Sequence, residues 1–238
     1  MKDVHEILKK RPLLFDGGMG TYYNAAPGQE CEQANRTDPE GILAVHRAYL
    51  DAGADAIKTN TFGLTRMAAA HDPAWKALAE AGWELARRAA AQTDAAVFAD
   101  IGPAPDTEAL PAVQLYTALA DCFLALGAKN FLFETLSADT GVAEAAKQIK
   151  QAAPDAFVLV SFAVLPDGYT REGQHCAELV HRMEACGAVD AVGLNCVSAP
   201  SAMGELVQKL GGVKLPLSVM PNAGYPVVTR TRVQYRGR

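Results

Sequence analysis

Apolar runs and helix-patterned stretches alternate along this chain, and that alternation limits the fold more than any other feature. Seven runs stand out, at 12–15, 54–60, 97–101, 130–133, 156–162, 189–195 and 215–220. Most are continuously apolar, as in Phe157-Val158-Leu159-Val160, the pattern of parallel strands covered on both faces. Between them, apolar residues recur at helical spacing, as in Ile42, Leu43, Val45, His46, Tyr49 and Leu50. Such alternation builds either a (β/α)8 barrel or a doubly wound sheet. A polar residue stands at the end of almost every run: Asp16, Asn60, Asp100, Glu134, Ser161, Asn195 and Asn222. In a doubly wound sheet only the strands at the switch point carry the site. A barrel gathers every strand end on one face. The pattern therefore predicts an α/β fold of the (β/α)8 TIM-barrel type, lacking its last β/α unit at the C-terminus. No linker or repeat divides the chain, so one domain over 1–238, C-terminally incomplete, is expected.

Local signals refine this outline. Residues 3–10 suit a short amphipathic helix, and 21–37, which include Cys31, read as a long polar loop. Thr37 or Asp38 can cap the next helix, with Pro39 at its first position. Further helices are expected at 73–91, at 112–126, from about Asp139, over the segment carrying Cys176 and Cys186, and at 202–210. The basic tail, 227–238, has no core-facing period.

The formal net charge of −5 gives no reason to expect nucleic acid or an anionic membrane as a partner. No apolar stretch is long enough to span a bilayer, and the charged N-terminus lacks a signal-peptide core, so a cytoplasmic protein is expected. Five cysteines without a CxxC pair read as thiols or ligands rather than as a disulfide framework.

Three strand ends carry chemistry. Asp16-Gly17-Gly18-Met19-Gly20 is a glycine turn that permits close backbone approach to a ligand, and it is not a GxGxxG dinucleotide fingerprint. Asp16 can accept from a substrate ammonium or simply cap the turn. Glu134 is either a ligand-binding group or a charge at the next helix's N-terminus. Asn195-Cys196 delivers a thiol where parallel α/β proteins place their chemistry, although a lone thiol is more often a packed core residue. Cys31, in a loop on the same face, is within geometric reach, whereas Cys122, Cys176 and Cys186 fall on outer helices.

Taken together these segments resemble the homocysteine S-methyltransferase family. Asp16-Gly17-Gly18-Met19-Gly20-Thr21 resembles its DGxxGT opening, and Tyr49–Asp55 leading to Thr59-Asn60-Thr61-Phe62-Gly63 resembles its second-strand motif. Ile101-Gly102-Pro103, Phe133-Glu134-Thr135, Gly193-Leu194-Asn195-Cys196 and Pro221-Asn222-Ala223-Gly224 follow in the family's order. Asn60-Thr61-Phe62-Gly63 and the Pro221-Asn222-Ala223-Gly224 turn look most like the homocysteine domain of cobalamin-dependent methionine synthases, or of related bacterial fusions with methylenetetrahydrofolate reductase.

The resemblance implies a (β/α)8 barrel that transfers a methyl group to the homocysteine thiol with the help of zinc held by three cysteines. Cys196 matches the first of these. The other two belong to a Gly-Gly-Cys-Cys motif that this sequence does not contain, so the remaining zinc ligands are not in this chain. Zinc would remove the thiol proton and leave one open position for the substrate sulfur. The resemblance further implies that Asp16 and Glu134 help hold the homocysteine ammonium, that backbone N–H groups at Gly17 and Gly18 hold its carboxylate, and that Asn195 shapes the pocket. A cobalamin or folate methyl donor would have to be bound by other domains or proteins, since no DxHxxG corrinoid motif is present. The alternative is a non-catalytic module that binds a homocysteine-like amino acid or a partner and has lost the metal. In either case an unclosed barrel has free edge strands, which invite a homodimer, local disorder or a rearranged C-terminus.

Overall fold

The computed structural model describes residues 3–23, 25 and 29–223, together with the backbone of 226–228 and 233–235. In chain order the helices and strands are α1 (Val4–Leu8), α2 (Met19–Tyr23), a 3-10 turn (Cys31–Gln33), α3 (Ala34–Thr37), α4 (Pro39–Asp51), β1 (Ala56–Lys58), α5 (Leu64–Ala69), α6 (Ala74–Ala90), β2 (Ala96–Ile101), α7 (Ala112–Ala125), β3 (Asn130–Leu136), α8 (Val142–Ala152), β4 (Phe157–Phe162), α9 (Cys176–Ala185), β5 (Ala191–Asn195), α10 (Pro200–Leu210) and β6 (Leu217–Met220). A short antiparallel pair, β7 (Pro226–Val228) and β8 (Val233–Tyr235), follows.

Strands β1 to β6 form one parallel sheet in strictly sequential order. A doubly wound sheet reverses its strand order at a switch point. This sheet has no reversal, so it is an open part of a barrel. As expected of a barrel lacking its last β/α unit, full (β/α)8 closure is not seen among the described residues. The first expected strand, 12–15, is reduced to a single bridge between Phe15 and Ala56. Pro12 has no N–H to give a ladder, and the Asp55 carboxylate takes the Leu14 N–H at 3.0 Å. The expected seven strands therefore become six and a bridge.

Side-chain parity separates two cores. Val97, Ala99, Ile101, Phe131, Phe133, Val158, Val160, Val192 and Leu194 face the helices, and belong to one large cluster with Leu119, Phe123 and Ile149. The opposite face gathers Ala56, Ala96, Phe98, Leu132, Phe157, Leu159 and Ala191 into a smaller inner cluster, which α1 covers with Val4 and Leu8. Two residues further along the same strands, parity turns Lys58, Asp100, Glu134 and Ser161 onto the inner face, and four residues beyond Ala191 it does the same for Asn195.

Several boundaries differ from the sequence reading. The polar stretch 21–37 contains the end of α2, the 3-10 turn and α3, because buried Glu32 and Asn35 anchor it to the segment after β1 and to α6 rather than leaving it in solvent. Helix α5 was not foreseen, being too short for a clear period. The helix expected from Asp139 starts at Val142, where Gly141, at φ 77°, supplies the left-handed residue that precedes it. Asp38 caps α4 by accepting from the Gly41 N–H at 3.1 Å, as anticipated. Gly224 and most of the basic tail lie outside the described residues.

His46 on α4 is fully buried, with neither ring nitrogen hydrogen-bonded to the described residues. Burial lowers its pKa to about 4. Between the ordinary histidine value near 6.5 and this value, the unfolded chain takes up a proton that the folded chain refuses. Folding stability should therefore fall by about 3 kcal/mol as pH drops through that interval. Urea midpoints measured across it should show this slope, and His46→Leu should flatten it while leaving stability at neutral pH equal or higher.

Candidate functional site

A cavity of about 1090 Å³ runs along the inner face of the sheet, from α1 and the starts of β4 to β6 to the C-terminal strand ends. Asp16, Lys58, Asp100, Glu134, Asn195 and Cys196 all line it, as do Gly17, Gly18 and Cys31. The structure thus gathers every candidate site residue of the sequence around one space.

The polar floor begins with an ion pair. Lys58 Nζ lies 3.2 Å from Asp16 Oδ1, with the two side chains 12% and 3% exposed. The Lys58 backbone N–H donates to Asp16 Oδ2 at 3.0 Å. Burial pushes the Lys58 ammonium down, but Asp16, Glu134 and Asp100 together outweigh it, and the net shift is up. Burial pushes Asp16 up against the pull of Lys58. The two shifts pull the pair in opposite senses. The geometry decides for an ionised pair, because Asp16 faces both an ammonium and a backbone N–H.

Asp100 is more deeply enclosed. It is 3% exposed, and its Oδ1 has no hydrogen-bond partner. Burial first, and then the neighbouring Glu134 carboxylate, drive it well above the usual carboxylate range. Its backbone is clamped: its N–H donates to Thr59 Oγ1 at 2.9 Å and its carbonyl accepts from Thr61 Oγ1 at 2.7 Å. Glu134 lies within β3, next to the irregularity between Phe133 and Leu136. The sequence reading placed it at the strand's end.

The thiol sits on a strained turn. Thr135, Cys196 and Val197 have φ of 60°, 57° and 56°, a region that β-branched residues seldom enter. Such strain costs on the order of 1–3 kcal/mol per residue and persists only where the surroundings impose it. Asn195 does much of the imposing. Its Oδ1 accepts from the Thr135 N–H at 3.0 Å and from Ser161 Oγ at 2.8 Å, and its Nδ2 donates to Thr135 Oγ1 at 2.7 Å and to Cys196 Sγ at 3.3 Å. Thr135 Oγ1 is 3.7 Å from the same sulfur. The Cys196 N–H donates to the Met220 carbonyl at 3.0 Å, tying the turn to β6. Burial and Glu134 raise the Cys196 thiol, and the Thr135 and Asn195 donors oppose them.

Two glycines are fixed by contact. A Cβ on Gly17 would lie 2.6 Å from the Tyr49 hydroxyl, and one on Gly193 would lie 2.5 Å from the Ser218 carbonyl oxygen. The first lets the Asp16 turn settle on α4, and the second lets β5 and β6 close up beneath the thiol. On the far side, buried Asn35 and Asn60 bond each other, and Asn60 Nδ2 donates to the Cys31 carbonyl at 2.9 Å. Burial and Glu32 push the Cys31 thiol up to about 11.

All five cysteines of the sequence fall among the described residues. No three or more His, Cys, Asp or Glu side chains among those residues are grouped to hold a metal ion. Cys31 does not complete a site with Cys196, and the donor set present does not fit zinc.

Lys58, Asp100, Thr135 and Ser161 had no site role in the sequence reading. Counting by twos from Ala56 puts Lys58 on the inner face, so parity was the missed signal. Thr135 was concealed by its left-handed backbone, which no sequence pattern marks.

The architecture and the strand-end groups define a barrel-type α/β domain whose pocket brings buried carboxyl groups and a thiol together. The chain belongs to the homocysteine S-methyltransferase family, whose sequence model matches residues 13–236. It is 31% identical over 262 aligned positions to methionine synthase of Mycobacterium tuberculosis, covering 98% of this chain and 22% of that protein. For methionine synthase of Mycobacterium leprae the identity is 32%, with the same coverage. The chain thus spans about a fifth of the length of these relatives. Among solved structures, the metallated homocysteine methyltransferase MmuM from Escherichia coli superposes with a TM-score of 0.76 at 25% identity, covering 94% of this chain and 88% of that one. Its apo form gives 0.70 at 28% identity, over 94% and 87% of the two chains.

Asn195→Ala removes four side-chain bonds and the restraint on Thr135. It should lower unfolding stability by about 2–4 kcal/mol. Asn195→Asp keeps the acceptor but loses both donors, and should raise the Cys196 pKa further, readable as slower thiol alkylation across a pH series.

Proposed function

We propose that this chain is the homocysteine-binding domain of a homocysteine S-methyltransferase of the methionine synthase type. One observation carries the reading: a cluster of buried carboxyl groups and a thiol held by two donors face the same cavity at the strand ends of a barrel-type sheet. An amino acid with a thiol side chain matches both ends. Its ammonium suits the acidic floor formed by Asp16, Asp100 and Glu134. Its carboxylate suits backbone N–H groups at the Gly17-Gly18 turn. Its sulfur would then extend towards Asn195 and Cys196.

In the transfer itself, the homocysteine sulfur forms a bond to the methyl carbon as the donor's bond to that carbon breaks. The donor leaves with the bonding electrons, and the thiol proton is lost. In this reading the donor, a cobalamin or folate methyl group, is presented by another domain or protein. Family members use zinc to hold the sulfur as a thiolate. Here Cys196 is the single matching ligand, and no step is assigned to zinc on this chain's residues. What these residues account for is binding, orientation and the enclosure of the thiol.

Calorimetric titration of the purified chain with L-homocysteine tests the reading. Saturable binding is expected, weakened at least about tenfold by Glu134→Gln. Elemental analysis should find far less than one zinc per chain. Near-stoichiometric zinc that is lost in Cys196→Ala would instead show that a second chain or other ligands complete the site. Absence of homocysteine binding would sink the proposal.

A further inference from the structure

The acidic floor already contains a cation of its own. Lys58 Nζ is 3.2 Å from Asp16 Oδ1 and almost wholly buried. A ligand ammonium approaching Asp16 meets this resident charge. Across the floor stands Asp100, 3% exposed, whose Oδ1, like Asp16 Oδ1, makes no hydrogen bond to the described residues; Asp16 Oδ1 has the Lys58 ammonium at ion-pair distance, while the group beside Asp100 is the Glu134 carboxyl. An unpartnered oxygen at that depth is costly unless something completes it. Glu134 stands beside it on the next strand.

Resting on the amino-acid reading above, we propose that Lys58 is a specificity-determining residue. Its ammonium fills the cation position at Asp16 and directs the ligand's ammonium to Glu134 and the open oxygen of Asp100. The pairing of charges agrees. Lys58 and Asp16 pair as opposite charges, whereas Asp100, which burial and the neighbouring Glu134 push well above the usual carboxylate range, has no ion-pair partner among the described residues. Without Lys58 the floor would hold a further buried carboxylate and attract ammonium more strongly, with less control over where it docks. The lysine therefore sets both the charge of the cation subsite and its place.

Three probes isolate the cation subsite: L-homocysteine, 4-mercaptobutanoate (no ammonium) and 3-mercaptopropylamine (no carboxylate). Their affinities for wild type and Lys58→Met are measured by calorimetry. The ratio of homocysteine to 4-mercaptobutanoate affinity should rise about tenfold in Lys58→Met, because Asp16 becomes a second partner for the ammonium. Lys58→Arg should keep the wild-type ratio, which nonspecific damage would not achieve. In wild type, the 15N signal of the Lys58 ammonium should persist at homocysteine saturation, protected on Asp16; this measurement carries the test should Lys58→Met not fold. An unchanged or lower ratio in Lys58→Met, or loss of the ammonium signal on saturation, overturns the proposal. Equal weakening of both acids with 3-mercaptopropylamine spared would assign Lys58 to the ligand's carboxylate instead. If wild type binds none of the three thiols, the amino-acid reading itself falls and takes this proposal with it.

Discussion

Buried charge is the constraint on which the site depends. A carboxylate as enclosed as Asp16 is tolerable only with a partner in place, and Lys58 provides two, its ammonium and its backbone N–H. The pair also links structural levels. Asp16 follows the first bridge of the sheet, donating its N–H to the Ala56 carbonyl at 2.9 Å, and Lys58 ends β1. The charge pairing thus joins the glycine turn to the first strand. The apolar layer of Ala56, Phe98, Leu132 and Leu159 on the same inner face lowers the local polarity, which strengthens the pair. A site this acidic is possible because that layer and the resident lysine are part of the same strands.

The class of fold was legible because its cause is local. Continuous apolar runs such as 157–160 and polar strand ends are written residue by residue, and the sequential sheet follows from short right-handed crossovers. The gathering of Asp16, Glu134, Asn195 and Cys196 on one face was legible for the same reason. The failures are equally physical. The 12–15 segment reads as a strand by composition, yet Asp55 takes the Leu14 N–H, a long-range contact invisible in the local pattern. The 21–37 stretch reads as loop because it is polar. It folds because Glu32 and Asn35 find backbone partners on another segment. Lys58 was hidden by its chemistry, since a lysine inside an inner sheet face runs against expectation unless the three carboxyls around it are already known.

Backbone strain at the thiol has a different origin from strain in a loose loop. Thr135, Cys196 and Val197 hold left-handed conformations on two neighbouring segments, and the Asn195 side chain joins Thr135 to Ser161 and Cys196 through a network in which each of its polar atoms is used. A fully satisfied network of this kind rigidifies its members. The sulfur is therefore placed by geometry distributed over β3, β4 and β5 rather than by the turn alone.

That placement reaches the rim of the sheet. Among the described residues β6 pairs only with β5, and its Leu217 and Val219 are 37% and 43% exposed, unlike the fully covered β2 and β4. Yet the Cys196 N–H hangs from Met220 at the end of that strand. The thiol is consequently suspended from the least supported rung of the ladder. Its positional fidelity follows the fraying of β6, so that any polypeptide laid along that rim would act on the sulfur as a tensioning stay, without touching it.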